Sequence, residues 1–227
     1  GTASLNNGKS MPLNIVALGM SVGTPANGIT GAVVEVKNFA ELDAMGADQV
    51  KGKIVFYNFR MDPRHINTFR AYGEAGVYRS QGPSRAAALG AIGVIVRTLS
   101  PVIDDHPHTG ATRYDENQPK IPAVAISTSG AEELSKAIAA KMVKQLYLKT
   151  NCKQLEDVLS YNVVGELKGS EFPDEIITVG GHLDSWDLAE GAHDDGTGCV
   201  QSIEVLRSLK AIGGRPKRTV RAVMFMN

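Results

Sequence analysis

Cysteine is nearly absent. The chain has two in 227 residues, Cys152 and Cys199, and no Cys-x-x-Cys pair. A disulfide framework is therefore excluded, and the cysteines leave the compartment open. Net charge is absent too: 24 Lys and Arg stand against 24 Asp and Glu. That argues against nucleic acid or an anionic membrane as a general partner, since both select a basic surface. The one dense basic cluster, Arg215, Lys217, Arg218 and Arg221, follows a Gly-Gly pair and reads as a solvated turn. No apolar run approaches transmembrane length, and no signal-peptide pattern is present. The chain starts at Gly1 rather than Met, so the missing leader decides nothing. What is plentiful is core material. Hydrophobic residues make up 43% of the chain, enough for one large domain or two modest ones.

The pattern along the chain predicts an α/β protein with a mostly parallel sheet. Residues 1–10 are polar and turn-rich and read as a loose terminus. Leu13 to Leu18 reads as a strand, broken by Thr24-Pro25 and Asn27-Gly28. A small α/β unit then runs from about Gly31 to Thr150. Its expected strands are Ala32 to Val36, Ile54 to Asn58, Gly93 to Arg97, Ala123 to Ile126 and Gln145 to Leu148. Phe39 to Met45 and Ser84 to Leu89 are short helical stretches. Residues 59–82 carry four arginines among glycines and few aliphatics and read as an exposed loop, as do 99–120. Ser129-Gly130-Ala131-Glu132 reads as a capping box opening a helix with Leu134 and Ile138. A second unit begins near Ser160. Strands at Tyr161 to Leu167 and Glu175 to Gly180 precede a helix from Gly196 to Lys210, ended by Gly213-Gly214. A last strand, Val220 to Met226, runs to the end of the chain. This is one crossover of a parallel sheet and only part of a domain.

The chemistry sits in that crossover. Gly180-Gly181-His182-Leu183-Asp184-Ser185-Trp186-Asp187 runs off a strand, and Gly191-Ala192-His193-Asp194-Asp195-Gly196 leads into the helix. His182 offers a neutral nitrogen at a strand end. Asp184, two residues on, points to the same side of an extended backbone and can orient the imidazole. Asp194 lies twelve residues after His182, where a helix N-terminus favours negative charge. Its two oxygens suit a bridge between two metals. Singly, each residue has an ordinary reading: a packed histidine, a helix-capping aspartate such as Asp195, solvated acids at Asp187 and Glu190. Together they stand at the carboxyl end of a strand, where open α/β sheets hold ligands, and a metal reading is preferred. His193 is left out, because loop neighbours rarely ligate one ion. Trp186 is a candidate wall of a substrate pocket.

These motifs resemble the M28 family of co-catalytic zinc exopeptidases. The likeness runs from Gly19 to Pro25, through Pro107-His108-Thr109-Gly110, to Arg215-Pro216-Lys217-Arg218-Thr219, nearly the whole chain. It implies a phosphorylase/hydrolase-like zinc-exopeptidase sheet over 151–227. The unit at 31–150 resembles the protease-associated domain inserted in such enzymes, and 1–30 would link it to the catalytic domain. By resemblance His182 binds one zinc, Asp194 bridges two, and Asp184 orients His182. Trp186 and His108 become candidate substrate contacts. The family's general-base Glu, a neighbouring Glu ligand and a later Asp and His would lie past Asn227, and the start of the catalytic domain before Gly1. The resemblance implies metal-assisted hydrolysis of dipeptides or short peptides with a free amino terminus, by a secreted or exported homodimer. The chain alone is expected to be inert and to bind zinc weakly.

Three rival readings remain. Gly19-Met20-Ser21-Val22-Gly23 fits the G-x-S-x-G nucleophile elbow of serine hydrolases, which needs a strand before it and a helix after. A non-catalytic binding or receptor-like relative would keep the fold without the chemistry. A calcium site from Asp184, Asp187 and Glu190 lacks the spacing and glycine of known calcium loops.

Overall fold

Ile54, Val55, Phe56 and Tyr57 are all shut off from solvent in the computed structural model, which describes residues 1–226. Successive strand residues face opposite sides, so this strand is covered on both faces, as in a sheet with crossover connections. It belongs to the first of two compact units, Gly1–Leu155; the second is Glu156–Asn227.

The first unit opens with β1 (Thr2–Leu5), β2 (Ser10–Pro12), β3 (Ile15–Ala17), β4 (Ile29–Gly31) and β5 (Val33–Val36). Then come α1 (Phe39–Val50), β6 (Ile54–Tyr57), α2 (Thr68–Ser80), α3 (Gly82–Ala88) and β7 (Gly93–Arg97). It closes with β8 (Ala123–Ile126), α4 (Thr128–Ala139) and β9 (Val143–Leu148). Five strands form one sheet in the order β3-β8-β7-β6-β5, parallel except for β3. A second, antiparallel sheet has the order β2-β1-β9-β4. The five-stranded sheet has a core on each face. Val55, Tyr57, Val94, Val96, Ala123 and Ala125 pack with Leu42 of α1, Tyr78 of α2 and Ala86 of α3. Ile54, Phe56, Ile95, Val124 and Ile126 pack with Leu134 of α4 and with Leu146 and Leu148 of β9.

Several segments differ from the sequence-based expectation. Residues 1–10 are not a loose terminus: β1 lies between β2 and β9, and Ala3 is fully buried. The helix after Phe39 continues to Val50, across a non-helical Gly46. Within 59–82 lies α2. Asn67 accepts a hydrogen bond from Phe69 N at its start, and the helix buries Ala71, Ala75 and Tyr78. Small alanines and one aromatic make this inner face, so a search for aliphatics overlooks it. The cap of α4 is Ser127, whose Oγ accepts from Gly130 N at 3.1 Å. Ser129 Oγ donates instead to Asp104 O, and Glu132 turns to Arg97 and Arg60.

The second unit comprises β10 (Val163–Leu167), β11 (Phe172–His182), a π-helical turn at Ala192–Gly196, α5 (Thr197–Ala211) and β12 (Arg218–Phe225). The sheet order is β10-β12-β11, with β11 parallel and β10 antiparallel to β12. Its core is small: Cys199, Ala222 and Met224, with Val179 and Leu206 against them. Adjacent Ile176 and Ile177 face opposite sides, and both are exposed. The expected strand and helix order holds here; Asn227 lies outside the described residues. Among the described residues no helix is long and apolar enough to cross a membrane.

Tyr57 joins α1 to α3 on one face of the five-stranded sheet. Its ring meets Phe39 edge-on at 5.8 Å, and its hydroxyl donates to Gly82 O at 2.9 Å. Burial pushes its phenol well above the ordinary value. A raised folded-state pKa adds stability that is whole below pH about 10 and is lost as pH rises past that value. Spectrophotometric titration is therefore expected to show one tyrosine that ionises only as alkali unfolds the unit, absent in Tyr57→Phe. Leu134, fully buried, sets the opposite face. Leu134→Ala is expected to cost about 2–5 kcal/mol in denaturant unfolding.

Candidate metal centre

β11 ends at His182, and its close neighbour in space is the start of α5. Gly181 makes that approach possible: a Cβ there would stand 2.6 Å from Cys199 N and 2.8 Å from Asp195 Oδ2. A Cβ on Gly198 would collide with the Asp195 carboxylate. The carboxylate thus fills the gap between strand end and helix start. Its Oδ2 accepts the His182 backbone N–H at 3.0 Å. Cys199, buried as expected, adds a thiol contact to His182 O at 3.2 Å.

The connecting loop returns through Gly191, at φ +68°, where a side chain would be strained. Gly196 N donates to Gly191 O at 2.8 Å, closing the turn that carries Asp194. The Asp194–Asp195 peptide is cis.

The imidazole is held from both edges. Nδ1 lies 3.0 Å from Asp184 O and 3.1 Å from Asp184 Oδ1, and Nε2 lies 3.0 Å from Asp194 Oδ1. The Asp184 backbone carbonyl, foremost, raises the His182 pKa above its ordinary value; Asp194 adds to the rise and desolvation opposes it. With Nδ1–H engaged by Asp184, Nε2 is the edge left for a ligand bond, the arrangement found behind metal-binding histidines. Nε2 and Asp194 Oδ1 converge at the mouth of the helix, so the donor set suits a borderline ion such as zinc. Among the described residues no group of three or more His, Cys, Asp or Glu side chains converges as a metal site. What is assembled is a facing pair of candidate donors, His182 Nε2 and Asp194 Oδ1.

Trp186 is exposed in the loop after β11. His108 belongs to the first unit, exposed, its backbone N–H donating to Thr98 Oγ1 at 3.0 Å. Asp187, Glu190 and His193 are exposed, and Asp184 is turned to His182 rather than toward a calcium cluster. Ser21 is no nucleophile elbow. It is buried, its Oγ donates to Val22 O and accepts from Ala123 N, and no helix follows it. The residue undervalued by sequence is Asp195, read as an ordinary helix cap. It makes no capping bond to α5, which starts at Thr197 with Gly196 at its N-cap and no side-chain cap bond. Its signal was the pair of glycines, Gly181 and Gly198, that make room for it.

Residues 162–227 match the model of peptidase family M28, and residues 26–134 match that of the PA domain. The chain is similar to M28 peptidases over its last part and to the PA domain over its first. It is 40% identical to carboxypeptidase Q of Xenopus laevis over 224 residues, covering 99% of this chain and 46% of the relative. Carboxypeptidase Q of Homo sapiens is 40% identical over 211 residues, 93% of this chain and 43% of the relative. Among solved structures, a peptidase M28 precursor from Shewanella amazonensis SB2B superposes with a TM-score of 0.90 at 34% identity, covering 100% of this chain and 51% of that one. The zinc aminopeptidase BSAP from Bacillus subtilis shares the fold, with a TM-score of 0.61 at 24% identity, over 99% of this chain and 47% of that one. The chain spans about half the length of the relatives it matches.

Removing the Asp195 carboxylate is expected to free the His182 amide. In Asp195→Ala, hydrogen exchange at that amide should quicken about tenfold or more, corresponding to about 1–3 kcal/mol of lost local stability. Asp195→Asn keeps an acceptor and should lie between; unchanged exchange in both variants would remove the clasp from the account.

Proposed function

We propose that this chain is the PA-domain and partial catalytic portion of a two-zinc exopeptidase that hydrolyses dipeptides or short peptides with a free amino terminus. The observation that carries this reading is the imidazole of His182, held on Nδ1 by Asp184 and aimed through Nε2 at Asp194. His182 Nε2 would hold one zinc, Asp194 would bridge both, and Asp184 would fix the tautomer that leaves Nε2 unprotonated. When bound, zinc supplies an acidified water and polarises the peptide carbonyl. The chain's own residues orient these groups: Asp184 fixes the ring plane, and Asp195 anchors the strand end that carries it. Trp186 and His108 are proposed to contact substrate. Within this reading, 1–30 links to the catalytic domain, 31–150 is the PA domain and 151–227 is partial catalytic domain, with the general-base Glu supplied from outside the chain. The whole protein is proposed to be secreted or exported and to form a homodimer. With equal numbers of acidic and basic residues, neither nucleic acid nor membrane is proposed as a partner.

The test is made on the whole protein. Chelation should abolish dipeptide hydrolysis, and added Zn²⁺ should restore it. His182→Ala and Asp194→Ala should be inactive. Asp184→Asn should lose about 10–100-fold in metal affinity or activity. A whole protein that binds peptide without cleaving it would be a binding relative instead. The 227-residue chain by itself is expected to bind zinc weakly in calorimetry and to cleave no dipeptide; measurable cleavage would overturn the assignment of the base to a residue outside it.

A further inference from the structure

A second charged cluster lies at the carboxyl ends of β5, β6 and β7, wholly within the first unit. It contains Glu35, Lys37, Asn58, Arg60, Arg97 and, from α4, Glu132 with Ser135 one turn on. Arg97, the last residue of β7, is only 3% exposed, and Asn58 is 6% exposed. Arg97 Nη1 donates to Asn58 Oδ1 at 3.1 Å and lies 2.7 Å from Glu132 Oε1, an ion pair off the hydrogen-bond direction. Arg60 Nη2 pairs with the other oxygen of Glu132. Glu35 Oε1 accepts from Asn58 Nδ2 at 2.7 Å and from Ser135 Oγ at 2.8 Å.

Three cations, Lys37, Arg60 and Arg97, stand with three carboxylates, Glu35, Glu41 and Glu132; Glu41 accepts the Lys37 backbone N–H at 2.8 Å, and Glu132 is shared between two guanidiniums. Among the described residues Lys37 makes no ion pair, and the buried Arg97 Nε has no hydrogen-bond partner. Burying a guanidinium carries a desolvation penalty that an apolar residue at the same strand end would not incur. Beside the cluster is a cleft of about 390 Å³ lined by Lys37, Asn58, Phe59, Arg60 and Ser135. Its apolar wall, Phe59, is fixed by stacking on Tyr78 at 4.8 Å. A concave site with one apolar wall and a few convergent polar groups is the usual form of a small-molecule pocket. In open α/β sheets such pockets lie outside the carboxyl ends of the strands.

We propose that this cleft binds a small carboxylate anion, held by Lys37 and Arg60 with its carbon skeleton against Phe59. Arg60 engages Glu132 through Nη2, which leaves its other N–H donors for the ligand. The free hydrogen on Asn58 Nδ2 supplies a neutral donor beside them. The lining holds two basic side chains and no acidic one, and Arg60 is already paired with Glu132, which suits a monoanion better than a phosphate dianion. The site is independent of the His182 centre and of the peptidase reading.

The test uses the 227-residue chain labelled with ¹⁵N and titrated with sodium acetate, against sodium chloride at equal ionic strength. Acetate is expected to give saturable shifts at the amides of Lys37, Asn58, Phe59, Arg60 and Ser135, with a millimolar Kd. Lys37→Met, a surface change, should weaken binding about tenfold or more with an unchanged melting temperature. Shifts no larger than those with chloride, or equal affinity in Lys37→Met, would overturn the site. Tighter binding of inorganic phosphate than of acetate would overturn its assignment to carboxylates.

Discussion

The candidate centre depends on one hydrogen bond: the His182 backbone N–H to the Asp195 carboxylate. A strand end and a helix start each present unpaired backbone groups, and they come together only if something polar fills the gap. Asp195 does so, and two residues without side chains, Gly181 and Gly198, make the space. The consequence reaches the imidazole. With its backbone anchored on this side, His182 turns its ring toward Asp184 and Asp194 rather than into the small core of Cys199, Ala222 and Met224. The negative charge beside the α5 N-terminus also sits where the helix dipole favours it.

The first unit obeys a different constraint. Its five-stranded sheet is buried on both faces, so nearly every side chain of β6, β7 and β8 belongs to one of two cores. Polar groups are driven to the strand ends. At the carboxyl edge they include a buried arginine, and the charges around it must compensate one another. The adjoining cleft is lined by Lys37 and Arg60 and by no acidic side chain, and that gives it its chemical character. Polar groups thus gather beyond the carboxyl end of β11 in the second unit and of β5 to β7 in the first. The two sets differ in kind: an imidazole between two carboxylates in one, guanidinium and ammonium around shared carboxylates in the other.

Much of this was legible in the chain. The short apolar runs at Ile54 and Val94 announced strands; that both faces are covered came from the structure. The spacing from His182 to Asp184 and on to Asp194 announced a histidine between two acids. Other features were not legible. The α2 helix hides its inner face in Ala71, Ala75 and Tyr78, whose small or half-polar side chains give a weak period. The β1 and β2 strands form because β9, more than a hundred residues later, supplies a partner edge. Ser129 and Glu132 have the spacing of a capping box, yet tertiary partners at Asp104, Arg97 and Arg60 claim them, and Ser127 caps the helix instead.

By itself the sequence determined what is local or recurrent: the strand and helix types of the strongly patterned segments, the neutral charge balance, and the motifs that identify the family. Only the tertiary structure decided which groups meet. It turned Asp195 from a presumed cap into a clasp and engaged Ser21 with the backbone of Val22 and Ala123. It also brought Glu35, Asn58, Arg97 and Glu132, spread over almost a hundred residues, into one network. The physical reason is range. Periodicity and capping act over a few residues, whereas desolvation penalises an unpaired charge or backbone group wherever in the chain its partner lies.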